Sequence, residues 1–182
     1  MREVRIASAL LLFSIVMISC TSSEERARDL HKESLEAKDA GDAVRHEALL
    51  QRIVTDYSST ETAAQAGKEL ETVRLNREAL VSNTVGVMRL IVTGQVLFLG
   101  ARGRYAQSLE ELAASKAGGF DRAFLNPEKG YKYEMHVEKS AYVVIATPVL
   151  PALDKHFFAD NRGYVHEESG KPATTESAVT KY

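Results

Sequence analysis

The 182-residue chain contains a single cysteine, Cys20, and this scarcity excludes an internal disulfide. Such a chain is held together by its own core, because no covalent cross-link is available. An excess of one charge is also missing, since 23 Lys and Arg residues stand against 25 Asp and Glu residues, with a net charge of −2. Composition therefore predicts no charge-driven binding of nucleic acid and no strong binding to anionic lipid.

The sequence also lacks the common catalytic and cofactor-binding motifs. No serine lies in a Gly-x-Ser-x-Gly elbow, and no glycine-rich phosphate loop precedes a predicted helix. His-Glu-x-x-His spacing and calcium loops of the Asp-x-Asp-x-Asp-Gly kind are absent as well. We therefore expect no enzyme activity, no catalytic residue, no cofactor and no metal. A hydrolase is the competing interpretation.

Five histidines are the remaining candidates for metal chemistry. His31 and His46 fall in charged helical segments, which predicts that both are solvated. The alternative is a cation site in which imidazole and carboxylate groups are the ligands, and its candidate residues are Asp160, His166, Glu167 and Glu168. The segment from Asp160 to Gly163 has the residue types of a turn, so we predict a turn there.

The N-terminus has the organisation of an export signal. Arg2 and Arg5 precede an uncharged apolar run of about 13 residues, 6–18, which is the length of a signal-peptide h-region and short for a membrane span. Ser19 and Cys20 end this run, and the ending resembles the lipobox of bacterial lipoproteins. The resemblance implies that Cys20 is lipidated and becomes the first residue of the mature chain.

Two positions of the motif leave alternatives open. Met17 and Ile18 stand where the usual lipobox has a leucine and a small residue. An uncleaved anchor and an ordinary secretory signal are therefore the alternatives, and both also export the chain. Thr21 follows the cysteine, where an aspartate would favour inner-membrane retention in some bacteria. We expect a lipid-anchored protein of the bacterial cell envelope that faces the periplasm, with the outer membrane slightly favoured.

Helical segments follow a short polar tether. Gly41 ends the first segment, residues 24–40, and Asp42 is the expected N-cap of the second. The spacing of residues 58–61 is that of a capping box, which predicts a third helix from about Thr60. These residues predict a helical hairpin.

Four segments of the hairpin are typical of a helical repeat: Ala40-Gly41-Asp42, Ala48-Leu49-Leu50, Asp56-Tyr57-Ser58-Ser59 and Ala63-Ala64. Together they are similar to the tetratricopeptide-like repeats of envelope assembly proteins. A single repeat cannot bury its faces alone, so we expect it to pack on the chain that follows. An ordinary helical hairpin is the alternative.

The helical pattern then continues over residues 60–102. We expect one apolar stripe of this helix to pack on a sheet: Val85, Met88, Val92, Val96 and Leu99. Arg89 and Gln95 interrupt the apolar residues, which argues against a membrane span. Gly86 and Gly94 lie on nearly the same helix face, and we expect a sheet or a partner helix to approach closely at both.

Strand patterns dominate the remaining chain. Ser108 is the expected N-cap of a short helix, with Glu111 three residues on. Alternation over residues 131–137 and an apolar run over residues 141–148 predict one hairpin, and residues 156–166 predict a second. Consecutive hairpins make an antiparallel meander, so the chain as a whole is predicted to have an α+β fold.

Five blocks occur in order in this half: Tyr105-Ala106-Gln107-Ser108-Leu109, Gly130-Tyr131-Lys132-Tyr133, Tyr142-Val143-Val144-Ile145-Ala146-Thr147-Pro148, Phe157-Phe158-Ala159-Asp160-Asn161-Arg162-Gly163 and Gly170-Lys171-Pro172-Ala173. With the long helix before them, they resemble the globular domain of type IV pilins and pseudopilins. The resemblance implies a long helix packed on a small sheet, and a link to a type IV pilus or type II secretion-like system. The chain has no Phe-Thr-Leu-x-Glu segment of a pilin N-terminus, so the resemblance does not imply a filament subunit.

The predicted organisation is a signal peptide over residues 1–19, a tether and tetratricopeptide-like hairpin over 20–59, and a pilin-like unit with a polar C-terminal tail over 60–182. The first functional hypothesis is an envelope lipoprotein that acts as a non-catalytic scaffold or accessory protein through contacts with other envelope proteins. The alternative is a periplasmic module that binds a small ligand between helix and sheet. Three aromatic residues are the expected lining of such a pocket: Tyr105, Tyr131 and Tyr142.

Overall fold

The computed structural model describes residues 23–127 and 130–181 and has an α+β architecture. Helix α1 covers residues 23–39. The other helices are α2 (Ala43–Asp56), α3 (Glu61–Arg102) and α4 (Leu109–Ser115), and two 3-10 turns follow them, Ala117–Gly119 and Arg122–Leu125. The predicted fold class, a helical hairpin followed by a long helix and an antiparallel meander, is confirmed. Cys20 and the predicted signal peptide lie outside the described residues.

Five strands form one sheet in which each strand pairs with the next along the chain. They are β1 (Tyr131–Glu138), β2 (Ala141–Pro148), β3 (Lys155–Asp160), β4 (Val165–Ser169) and β5 (Ala178–Val179). Every pairing is antiparallel, so both predicted hairpins are confirmed. The sequence did not predict β5, because a strand of 2 residues is too short to give an alternating pattern.

Asp42 Oδ1 accepts from the N–H three residues on at 3.0 Å, as expected of the N-cap of α2. Helix α3 begins at Glu61, close to the predicted start, but its cap is Thr60, whose Oγ1 accepts from the Ala63 N–H at 3.1 Å, so the capping box predicted over residues 58–61 is wrong. Ser108 Oγ accepts from the Glu111 N–H at 3.1 Å, which confirms the cap of α4. The hydrogen-bonded ion pair with Arg104 holds the pKa of Glu111 at about 2. A hydrogen bond from the Gln107 N–H to the Glu111 carboxylate acts in the same direction.

The chain divides into two compact units at a point within α3. The first unit ends at Leu75 and the second begins at Asn76. The boundary expected from the sequence lies earlier, between residues 59 and 60. The difference has a physical cause, because the first turns of α3 bury apolar side chains against α1 and α2.

The first unit has a small apolar core. Its buried side chains are mostly short: Ala27, Leu50, Ile53, Ala63 and Ala66. Glu24 contacts Thr62, and His31 contacts Glu69 seven residues further along both helices, so α1 and the start of α3 run in the same direction. Polar contacts therefore supplement apolar packing along this pair of helices.

The second unit buries one side of α3 against the sheet and α4. Val85 and Met88 are fully buried, as the predicted stripe requires, and Val92 is half-buried. Val96 is 57% exposed and Leu99 is 36% exposed. The end of the predicted stripe is therefore wrong, and Ile91, Gln95 and Phe98 take its place in the core.

The buried side of α3 shifts because the chain after the helix returns along this side. The Ala106 N–H donates to Gln95 Oε1 at 2.9 Å, and the Ala106 carbonyl accepts from Gln95 Nε2 at 3.0 Å. Gln95, which interrupts the apolar residues in the sequence, thus stays buried with its amide groups satisfied. The side chains of Ile91 and Phe98 are covered with it.

The two glycines of α3 differ in their surroundings. A Cβ atom on Gly94 would lie 2.8 Å from the Ala117 carbonyl oxygen and 3.3 Å from Leu112 Cδ1. The predicted close approach at Gly94 is confirmed, although the 3-10 turn after α4 makes the approach rather than a sheet or a partner helix. A Cβ on Gly86 would meet nothing within 4 Å, so the same prediction is wrong for Gly86.

Candidate functional site

The described chain begins with a polar contact that fixes the start of α1. Glu24 Oε2 accepts from the Glu61 N–H at 3.0 Å, and Glu24 Oε1 accepts from Thr62 Oγ1 at 2.6 Å. The hydrogen bond from Thr62 is the main cause that lowers the pKa of Glu24. A carboxylate at this place satisfies free N–H groups at the start of α3 and interacts favourably with the helix dipole.

The two histidines of the first unit are not solvated, which corrects the prediction. His46 is buried, and its Nδ1 lies 2.9 Å from the Ser34 carbonyl oxygen. His31 Nε2 lies 3.1 Å from Glu69 Oε1, with only 11% of the His31 side chain exposed. Both residues lie on charged helices, but they occupy the sides that face a neighbouring helix, which the local sequence pattern does not reveal.

The candidate cation site does not assemble. Among residues 23–127 and 130–181, no group of three or more His, Cys, Asp or Glu side chains converges as metal ligands would. Alternation along β4 places His166 and Glu168 on one face of the sheet and Glu167 on the other. The carboxylates have other partners: Asp160 pairs with Arg162, Glu167 with Lys155, and Glu168 accepts from Ser177 Oγ. The turn predicted from Asp160 is confirmed by the hydrogen bond of the Gly163 N–H to the Asp160 carbonyl at 3.0 Å.

Of the three tyrosines proposed as a pocket lining, Tyr131 and Tyr142 belong to the core, whereas the half-buried Tyr105 also lines a cavity of about 600 Å³ beside the turn between β1 and β2. Tyr131 and Tyr142 are buried, and the rings of Tyr105 and Tyr142 make an edge-to-face contact at 5.0 Å. Burial raises the pKa of both Tyr131 and Tyr142. Their hydroxyl groups have no hydrogen-bond partner among the described residues. The rings of Tyr131 and Tyr142 therefore fill the core of the second unit.

A groove of about 820 Å³ lies on another side of α3 in the second unit. Gly86 lies in its wall. Phe124, on the 3-10 turn Arg122–Leu125, and Tyr133, on β1, also line the groove. Burial raises the pKa of Tyr133, and the nearby Thr84 side chain, whose hydroxyl donates to the Leu80 carbonyl at 2.9 Å, acts in the opposite direction. The sequence marks Gly86 as unusual but predicts a packing contact there, and no signal in the sequence singles out Tyr133.

Several apolar side chains of α3 remain exposed. Val96 and Leu97 are both more than half exposed, and Leu75 is 52% exposed. Among the described residues, α3 is the one helix with the length and composition to cross a membrane, with a mean hydropathy of 1.6 over its most apolar 18 residues. Of that window, 39% is buried inside the fold.

The fold thus defines a class, an α+β protein in which a helical unit precedes a long helix and a five-stranded antiparallel meander. Comparison of the chain with known protein families, with curated proteins and with solved structures gives no significant match.

Proposed function

We propose that this protein is a lipid-anchored envelope lipoprotein that acts as a non-catalytic scaffold or accessory protein. Its pilin-like second unit would serve a type IV pilus or type II secretion-like assembly, and its tetratricopeptide-like hairpin would lie next to the anchor. The proposal rests on the position of Cys20 in the sequence, at the end of an apolar run and just before α1. The start of α1 is fixed by hydrogen bonds between Glu24 and the first residues of α3.

The anchor would hold the first unit close to the membrane. Residue 23 already belongs to α1, and Glu24 is bonded to the first residues of α3. Three residues of chain span at most about 11 Å, so lipids on Cys20 leave the start of α1 within that distance of the anchor. Such tethering raises the effective concentration of a weakly binding partner at the membrane.

Exposed apolar side chains support a role in protein contacts. Val96 and Leu97 lie next to each other near the end of α3, and both are more than half exposed. Exposed apolar surface of this kind is typical of protein interaction sites when the residues are contiguous. We therefore propose a protein partner in the envelope that covers this end of α3.

The lipid anchor is tested by labelling cells with an alkyne-tagged fatty acid and separating membranes from soluble proteins. The native protein should carry the label and sediment with membranes, because several acyl chains anchor durably at ~0.8 kcal/mol for each buried methylene. Cys20→Ala should abolish the label, and the control Thr21→Ala should retain it. A mature, membrane-bound Cys20→Ala protein would refute the anchor.

The partner is tested by crosslinking in intact cells through a C-terminal tag. Val96→Lys should lose the crosslinked envelope protein, because a charge then faces an apolar partner surface. Val44→Lys is the matched control, since Val44 lies on α2 and is 52% exposed. Equal capture by both variants would refute contact through α3.

A further inference from the structure

The groove beside Gly86 has the size of a small-molecule site. Its volume of about 820 Å³ falls within the range of ligand pockets, roughly 300–1,000 Å³. One wall is α3, with Leu80, Val87 and Leu90, and Phe124 forms part of the opposite side. All of these residues belong to the second unit.

No neighbouring residue of the described chain packs so closely against Gly86 that a glycine is required there. A glycine inside a helix costs roughly 0.5–1 kcal/mol relative to alanine. Gly94 has a clear reason, because the Ala117 carbonyl occupies the space of its missing side chain. Around Gly86 nothing lies within 4 Å of a Cβ position, so no neighbouring element requires the glycine, and a side chain longer than a methyl group at this position would extend into the groove.

The polar groups of the groove are uncharged. Thr84 and Tyr133 lie in its wall, the Thr84 hydroxyl donates to the Leu80 carbonyl at 2.9 Å, and Asn83 and Ser82 lie exposed beside them. The described residues that line the groove include no Asp, Glu, Lys, Arg or His. A charged ligand would lose its hydration here without gaining an ionic partner among the described residues, whereas an apolar ligand with one hydrogen-bonding group would be matched.

We infer that this groove binds an uncharged, mainly apolar small molecule that carries a single hydrogen-bonding group. The apolar part of the ligand packs on Leu80, Leu90 and Phe124, and the polar group lies toward Asn83 and Tyr133. This binding site is separate from the proposed scaffold role, because it involves neither Cys20 nor Val96.

The test uses two dyes with one ring skeleton. The probe N-phenyl-1-naphthylamine is uncharged and has one N–H group, and 8-anilino-1-naphthalenesulfonate adds a sulfonate to the same rings. Dye fluorescence is titrated against the chain from Thr21 onward, carrying a C-terminal tag. We expect saturable binding of the uncharged dye at one molecule per chain, and binding of the sulfonate at least about tenfold weaker.

Two substitutions at one position separate filling of the groove from folding. Gly86→Leu should weaken binding of the uncharged dye about tenfold or more, the loss expected when about two methylene groups are displaced from contact. Gly86→Ala is the matched control and should bind nearly as well as the native protein, because one methyl group leaves the groove open. Circular dichroism melts of both variants establish that they are folded.

Three outcomes would overturn the inference. They are the absence of saturable binding, equal binding of the two dyes, and undiminished binding to Gly86→Leu. Sedimentation velocity adds a separate criterion. If the native chain is a dimer that Gly86→Leu converts to monomers, the groove belongs to an interface between copies and the small-molecule site is refuted.

Discussion

The two compact units are stabilised in different ways. In the first unit, five small or medium apolar residues are buried together, and three of them are alanines. In the second unit, the buried cluster includes aromatic rings from the sheet as well as aliphatic side chains of α3. Burial of apolar surface is the main source of stability, at about 25 cal/mol per Å². Apolar burial therefore contributes more to the free energy of unfolding in the second unit than in the first.

The first unit compensates with polar contacts between helices. Glu24 bonds to the start of α3, and His31 and His46 are both held by hydrogen bonds. Polar contacts of this kind contribute less to stability than one large buried side chain. One long helix, α3, thus contributes to both units, through polar contacts at its beginning and through apolar packing further along.

The largest expected effect tests the core of the second unit. Met88→Ala should lower its free energy of unfolding by about 2–5 kcal/mol, because Met88 is fully buried between helix and sheet. Val96→Ala, on the same helix but 57% exposed, should change it by less than about 0.5 kcal/mol. Urea denaturation followed by circular dichroism measures both. Equal losses would mean that the assignment of buried and exposed sides is wrong.

A smaller effect sharpens the description of α3 itself. Gly94→Ala should lower stability by about 1–3 kcal/mol, because its methyl group would meet the Ala117 carbonyl at 2.8 Å. Gly86→Ala should raise stability by about 0.5–1 kcal/mol, since helix propensity improves and nothing is displaced. Thermal melts of the two variants compare them directly. A stabilised Gly94→Ala protein would contradict the close approach.

The smallest effect concerns acid stability of the first unit. The pKa of Glu24 is lowered in the folded chain, chiefly by the Thr62 hydroxyl, so its stabilising contribution is present above the ordinary carboxyl pKa of 4.5. The contribution is lost as the pH falls through the lowered value. Glu24→Gln should therefore destabilise the protein at pH 7 and make little difference in strong acid. The control is Glu25→Gln, at the exposed neighbouring position. If the thermal stability of both variants varied identically with pH, the stabilising role of Glu24 would be contradicted.

Local patterns in the sequence predicted most of the elements. Asp42 and Ser108 cap helices as expected, and the alternation over residues 131–137 with the apolar run over residues 141–148 predicted the first hairpin correctly. These signals work because a cap and a hairpin turn depend on residues a few positions apart. The short strand β5 depends instead on a distant contact, the hydrogen bond of the Thr180 N–H to the Val165 carbonyl.

The candidate site was harder to predict because it depends on which side of a helix is covered. His46 and Gln95 are polar residues that became buried through partners 12 and 11 positions away in the chain. Gly86 and Gly94 are alike in the sequence and differ only in what lies beside them. Tyr133 follows the same strand pattern as Tyr131, yet Tyr131 fills the core and Tyr133 borders the groove.

The difference between the two units is tested most directly by hydrogen exchange measured by mass spectrometry on the chain from Thr21 onward. Peptides from β2 and β3, which pair at the centre of the sheet, should exchange slowest, because opening them exposes the large core of the second unit. Peptides from α2 should exchange faster at pH 7, since few apolar side chains hold this helix. Equal or slower exchange in α2 would contradict the account.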